Sequence, residues 1–222
     1  MQYSRFFALG ITAAISAQTA LADIGVPYSL VDSFALPTGL YDMLPDGRLL
    51  SIDAAGNVLI QDTQNASTYS AVGSIGSVNS DGFGPAFVSI SPDGSTIAVG
   101  NNEFNSTNAV LFFDTASATT GSASPINSIL TPHFAGDWSD NQTFFVSGAD
   151  AATFGTVVNR LDLNQSTSTT VIDPAGGFSG DVAITNDTLY AGEGDTGSVY
   201  AFDLATLATA KNSVAINAGS FA

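Results

Sequence analysis

SPDGSTIAVG, residues 91–100, is a Pro-Asp-Gly turn that feeds a short apolar run. Proline presets the turn, the aspartate side chain accepts backbone N–H groups, and glycine tolerates positive φ. The Pro-Asp-Gly turn recurs in LPDGRLLSID (44–53), and a turn aspartate between two short apolar runs also stands in WSDNQTFFVSG (138–148) and ITNDTLYAG (184–192). The turn aspartates Asp46, Asp93, Asp140 and Asp187 follow one another at a constant 47 residues. A fixed period in the 40s, with one turn between two strand-like runs, marks a stack of equivalent β units.

Strand signals extend outward from each turn in the same order. The first unit has Leu40 to Leu44, Arg48 to Ile52, Val58 to Asp62 and Tyr69 to Ile75. The second has 87–91, 95–100, 109–114 and 126–130. The third has 136–138, 143–148, 157–162 and 169–172, and the fourth 181–185, 188–192, 198–203 and 212–217. These are runs of β-branched and aromatic residues bounded by turn residues. Each third run ends on an aspartate: Asp62, Asp114, Asp162 and Asp203. No helix is expected, and the Ala- and Leu-rich run 203–210 reads as a loop between third and fourth strands. Four antiparallel strands per 40–50 residues is the blade of a β-propeller, whose apolar faces are buried only against neighbouring blades. The expected architecture is therefore all-β, with blades at about 37–80, 81–132, 133–176 and 177–218. A β-helix coil needs a shorter period, and a β-sandwich gives no turn at constant spacing.

SPDGSTIAVG and SVYAFDLATLATAKNSVAIN (198–217) resemble the repeats of YVTN-type and WD-repeat-like propellers of bacterial surface proteins. In those repeats a Ser-Pro-Asp-Gly turn leads into the second strand, and the third strand ends in Asp-Leu-Ala-Thr. The likeness is close in the second and fourth units, degraded in the first and weak in the third. It implies a ring of commonly seven blades and no particular activity. The phase of the chain agrees. Phe134-Ala135-Gly136 and Phe178-Ser179-Gly180 are 44 residues apart, and Phe221-Ala222 returns at the same phase 43 residues later. A strand-like segment at 26–36 resembles an outer strand without inner partners. These features predict about four blades of a larger ring, in a protein that continues beyond residue 222.

Residues 1–22 read as a secretory signal peptide. Arg5 lies in the n-region, 6–16 form an apolar stretch too short to span a bilayer, and Ala20-Leu21-Ala22 supplies the cleavage pattern. The expected destination is the periplasm, the cell surface or the medium. Beyond residue 22, all 20 acidic residues face only three cations, Arg48, Arg160 and Lys211. Such a surface repels nucleic acid and anionic lipid, and both are set aside as partners. No later stretch is apolar enough for a membrane span. An exported chain without cysteine relies on its core for stability, and 45% hydrophobic residues with 15 Phe supply one.

In propellers the loops between blades and those between second and third strands share the channel face, the usual ligand face. The first kind offers Asp81, His133, Asp137 and Asp181, and the second Glu103, Asp150, Glu193 and Asp195. Asp137 and Asp181 follow equivalent glycines. With Glu193 they are the candidate hard-oxygen ligands for calcium, although no DxDxDG-type loop is present. One histidine and no cysteine exclude His-rich zinc sites and a thiol nucleophile. No GxSxG elbow is present. The expectation is a non-catalytic binding module for a protein, glycan or surface component. The alternative is a calcium-dependent hydrolase resembling the lactonase-type propellers.

Overall fold

The computed structural model describes residues 40–76, 85–101, 108–150, 152–153, 155–172, 179–193, 198–207 and 210–215. Residues 1–22, expected to be a signal peptide, and the strand expected at 26–36 lie outside these residues. The first sheet comprises β1 (Leu40–Met43), β2 (Leu49–Ile52), β3 (Asn57–Gln61) and β4 (Tyr69–Ser74). The second holds β5 (Pro85–Ile90), β6 (Thr96–Asn101), β7 (Ala109–Asp114) and β8 (Asn127–Leu130). In the third are β9 (Ala135–Trp138), β10 (Thr143–Ala149), β11 (Thr156–Asp162) and β12 (Thr167–Ile172). The fourth consists of β13 (Ser179–Thr185), β14 (Thr188–Glu193), β15 (Ser198–Asp203) and β16 (Ala210–Ala215). Every sheet is an antiparallel meander in sequence order, and strand ends fall within two residues of those expected. These are four consecutive β-propeller blades. Packing runs from first to second, second to third and third to fourth, and the described residues do not close a ring.

One element departs from the all-strand expectation. α1 (Thr115–Ala118) is a single helical turn after β7. Asp114 caps it, its Oδ1 accepting the Ser117 N–H at 2.7 Å and the Ser117 hydroxyl. Two alanines in its four residues suit a helical turn, and Ala118 buries itself between the first two blades. The equivalent run after β15 is a turn, as expected, with Leu204 to Thr206 turning and Leu207 at φ +37°.

The repeated turns are held by their aspartates. Asp46 accepts the Arg48 N–H and pairs with its guanidinium at 2.8 Å. Asp93 accepts the Ser95 N–H and the Ser91 hydroxyl, and Asp140 accepts the N–H groups of Gln142 and Thr143. Gly47 and Gly94 take φ +84° and +78°, where a side chain would be strained.

These bonds hold carboxyls below the ordinary aspartate range. The Arg48 N–H acts first on Asp46, the Ser95 N–H on Asp93 and the Ser117 hydroxyl on Asp114. A carboxyl depressed in the folded state stabilises the fold above its unfolded pKa, and the gain is lost as pH falls through the folded value. The melting temperature should therefore drop between about pH 5 and about pH 3, with a weaker drop in Asp93→Ala. Melts by circular dichroism check this, and a flat profile over that range would refute it.

Side chains alternate along each strand, so each blade contributes to the cores on both sides. Ile97, Val99 and Phe113 of the second blade join Leu50, Ile52 and Val58 of the first. Ala98, Val110 and Phe112 point the other way, to Trp138, Phe144 and Val146 of the third. Phe145 and Val158 of the third blade meet Val182, Leu189 and Phe202 of the fourth. The middle core is aromatic. Phe144 lies 4.9 Å from Trp138, 5.7 Å from Phe87 and 5.8 Å from Phe112, ring centre to ring centre.

Candidate functional site

Asp137 was expected in a loop leading into the third blade, and the structure has it within β9. Its Oδ1 accepts the Trp138 N–H at 2.8 Å and its Oδ2 the Ile184 N–H of β13 at 2.7 Å. Phe145 is its cross-strand partner, which places it at the same register as Asp42, paired with Leu50 in the first blade. Asp42 makes the same two bonds, to the Met43 N–H and to the Ile90 N–H of the second blade, both at 2.7 Å. At the intervening interface this register holds Ser89, and the tie runs the other way: Trp138 Nε1–H donates to the Ser89 carbonyl at 3.3 Å. Asp42 and Asp137 are carboxylate staples between the first strands of successive blades.

Asp181 also lies in a first strand, β13, three residues before Ile184. Its Oδ1 accepts the N–H of Val182 at 2.8 Å. Desolvation raises its carboxyl above the ordinary aspartate value, and the Val182 bond offsets part of that rise. The side chain nonetheless keeps an accessible surface. Solvent on its exposed side tempers that rise. The strand is irregular here, its register shifting between Ser179 and Val182. Gly180 lies so close to Gly192 that an added Cβ would come within 2.6 Å of the Gly192 carbonyl. The Gly180 carbonyl in turn accepts the Ser147 hydroxyl of the third blade at 2.7 Å.

His133 is fully buried between the second and third blades. Nε2 accepts the Asn101 N–H at 2.9 Å, which puts the ring proton on Nδ1, 2.7 Å from the Thr131 carbonyl. The ring meets Phe87 edge-on at 5.9 Å. Gly100 makes room, since a Cβ there would lie 2.3 Å from Phe87 and 2.7 Å from His133. Sequence placed this residue on the ligand face, and its surroundings make it a core hydrogen-bonding residue.

Asp150 sits in the loop after β10. Its Oδ1 accepts the N–H groups of Ala152 and Thr153 and the Thr153 hydroxyl, and these bonds, Thr153 N–H first, lower its carboxyl. Glu193 ends β14, where its backbone pairs with Ser179 and Ser198. Asp81, Glu103 and Asp195 lie outside the described residues. Among the described residues no three acidic or histidine side chains gather as a metal site. Of the candidates, Asp137 and Asp181 share one blade interface, with Asp137 bonded to the strand that carries Asp181.

No protein-family model and no curated protein matches the chain. Solved structures do match in shape. A proposed 6-phosphogluconolactonase from Bacteroides uniformis superposes with a TM-score of 0.57 at 15% identity, over 83% of this chain and 59% of that one. A protein of unknown function from Bacteroides thetaiotaomicron gives 0.51 at 12%, over 74% and 40%. The computationally designed Ika8 protein gives 0.50 at 12%, over 76% and 46%. The chain thus spans about half the length of these solved structures. At such identities the likeness is one of fold, and with four consecutive meanders it makes this chain a β-propeller.

Proposed function

We propose that the chain is an exported β-propeller of the YVTN or WD-repeat-like kind. In this reading it presents its loop face to a protein, glycan or surface component and catalyses no reaction. One observation carries the reading: three of the described candidate groups at that end are occupied in holding the scaffold. Asp137 joins two blades, Asp150 closes its own loop, and both ring nitrogens of His133 are engaged inside the core. Their chemistry is spent on rigidity, which serves a fixed binding surface.

The second reading, calcium-dependent lactonase-like hydrolysis, draws support from Asp181. Its carboxyl is raised by desolvation while the side chain keeps an exposed side, and the fold is shared with a proposed 6-phosphogluconolactonase. A carboxyl raised on folding penalises the native state once ionised, so the penalty is present at neutral pH and vanishes below the unfolded pKa. Asp181→Asn should therefore melt no lower than the parent at pH 7, and the two melting temperatures should converge in acid.

Thermal melts in excess calcium and in chelator separate the readings. The binding-module reading expects equal melting temperatures and no lactone hydrolysis. A calcium-dependent rise that Asp181→Asn removes would sink it and favour the hydrolase. A glycan and envelope-component array adds the positive arm, where saturable binding should weaken in Asp181→Lys.

A further inference from the structure

The residue two places before each third-strand aspartate is Ile60, Phe112, Arg160 and Ala201 in the four blades. Register makes the first three equivalent: Ile60 pairs with Leu50, Phe112 with Ala98 and Arg160 with Phe145. Directly opposed residues of an antiparallel pair share one face of the sheet. That face is turned to the following blade each time. Ile60 is buried in the core between first and second blades, and Phe112 in the core between second and third. Phe145 likewise belongs to the core between third and fourth. At this interface alone of the three, an exposed arginine stands where the other two bury an apolar side chain.

A pocket of about 320 Å³ opens beside it. Phe145 lies along it, Asp140 and Thr143 come from the turn into β10, and Leu204 and Leu207 from the turn after β15. The residue equivalent to Leu207 at the first interface is Ala118, four places past Asp114, and there the region is closed core. Leu207 adopts φ +37°, a conformation that costs a leucine energy, and its N–H is tied to the Asp203 carbonyl at 2.8 Å.

The Arg160 guanidinium makes no ion pair or hydrogen bond with the described residues. In a chain of formal charge −16 acidic partners abound, yet this guanidinium has none among the described residues. It stands at a pocket of mixed lining, with Ser139, Asp140 and Thr143 on one side and Phe145, Leu204 and Leu207 on the other. Its planar fork is matched to a carboxylate, which it can bind through two parallel bonds. Asp140 Oδ1 is committed to the Gln142 and Thr143 N–H groups, and the second oxygen of this carboxylate disfavours a second anionic group on the ligand.

We propose that the groove between the third and fourth blades is a binding site for a small amphipathic carboxylate. The carboxylate lies on Arg160, and a small apolar body packs on the half-buried Leu204 and Leu207 at the edge of the buried Phe145. The site borders the Asp140 turn, at the end of the blades opposite the channel-side loops, and does not depend on the function proposed for those loops.

The test is amide NMR of the full chain titrated with 3-phenylpropionate, phenylalanine and phenethylamine. Both carboxylates should give saturating shifts at Thr143, Phe145 and Leu207, and the amine none. A preference for phenylalanine identifies an amino acid as the natural source, its ammonium facing Asp140, whereas a preference for 3-phenylpropionate identifies a simple carboxylic acid. Arg160→Leu installs the residue type of the other interfaces, so it should fold and melt no lower. It should weaken carboxylate binding about ten-fold or more. Absence of saturable shifts, equal binding of the amine, or unchanged affinity in Arg160→Leu would overturn the proposal.

Discussion

Phe144→Ala is expected to cost about 3–5 kcal/mol and to lower the melting temperature by roughly 6–20 °C. Phe144 is fully buried, and its ring is shared by Phe87, Phe112 and Trp138 from two blades. Gly136 exists as glycine to admit this ring, because a Cβ there would come 2.4 Å from it. Truncation therefore removes the transfer energy of a phenyl group and leaves a cavity. Three other rigid rings surround that space, and their bulk limits how far the site can collapse. The total stability of a domain is about 5–15 kcal/mol, so the loss is a large part of it. Calorimetry or denaturant titration gives the number. A loss below about 1 kcal/mol would mean that the second and third blades do not pack as described.

Asp137→Ala is expected to cost about 1.5–3 kcal/mol, or roughly 3–12 °C in melting temperature. The substitution removes the acceptor of two backbone N–H groups, one of which belongs to the next blade. The Ile184 N–H then loses a charged partner between packed strands, and an unmet donor there pays its desolvation in full. Asp137→Asn should fall between, since its amide nitrogen cannot accept the second bond. Asp42→Ala, at the same register, should behave alike. The loss should be the same in calcium and in chelator. If it appears only with calcium present, Asp137 is a metal ligand and not a staple.

Much of this molecule is legible from residues close in sequence. The Asp46, Asp93 and Asp140 turns bond to their own neighbours two or three residues away. Hairpins between successive strands follow from those turns, and the unbroken apolar run Ile97–Val99 suits a strand buried on both faces. The helix α1 was missed for a local reason. Its aspartate is the same third-strand aspartate found in every blade, and only the Thr-Ala-Ser-Ala sequence after it turns helical.

The site residues were harder to place, because their roles depend on the adjacent blade. Asp42 lies four residues before its turn aspartate and Asp137 three, so a strict 47-residue register hides their equivalence. Aligning the turns with allowance for their unequal lengths would have revealed it. His133 reads as a loop residue from Pro-His-Phe, and what buries it is Phe87 and the Asn101 N–H. Arg160 reads from sequence as one of three cations beyond residue 22, and it gains meaning only beside Ile60 and Phe112 at equivalent positions in other interfaces.

The amino-acid sequence by itself determined the repeat, the four-stranded blades, their turns and their order, because turns and hairpins are decided by residues a few places apart. The tertiary structure alone decided which carboxylates staple blades, that the histidine is core, and that one interface stays open around an arginine. Those outcomes depend on groups some 30 to 50 residues away, brought together only when one blade packs on the next.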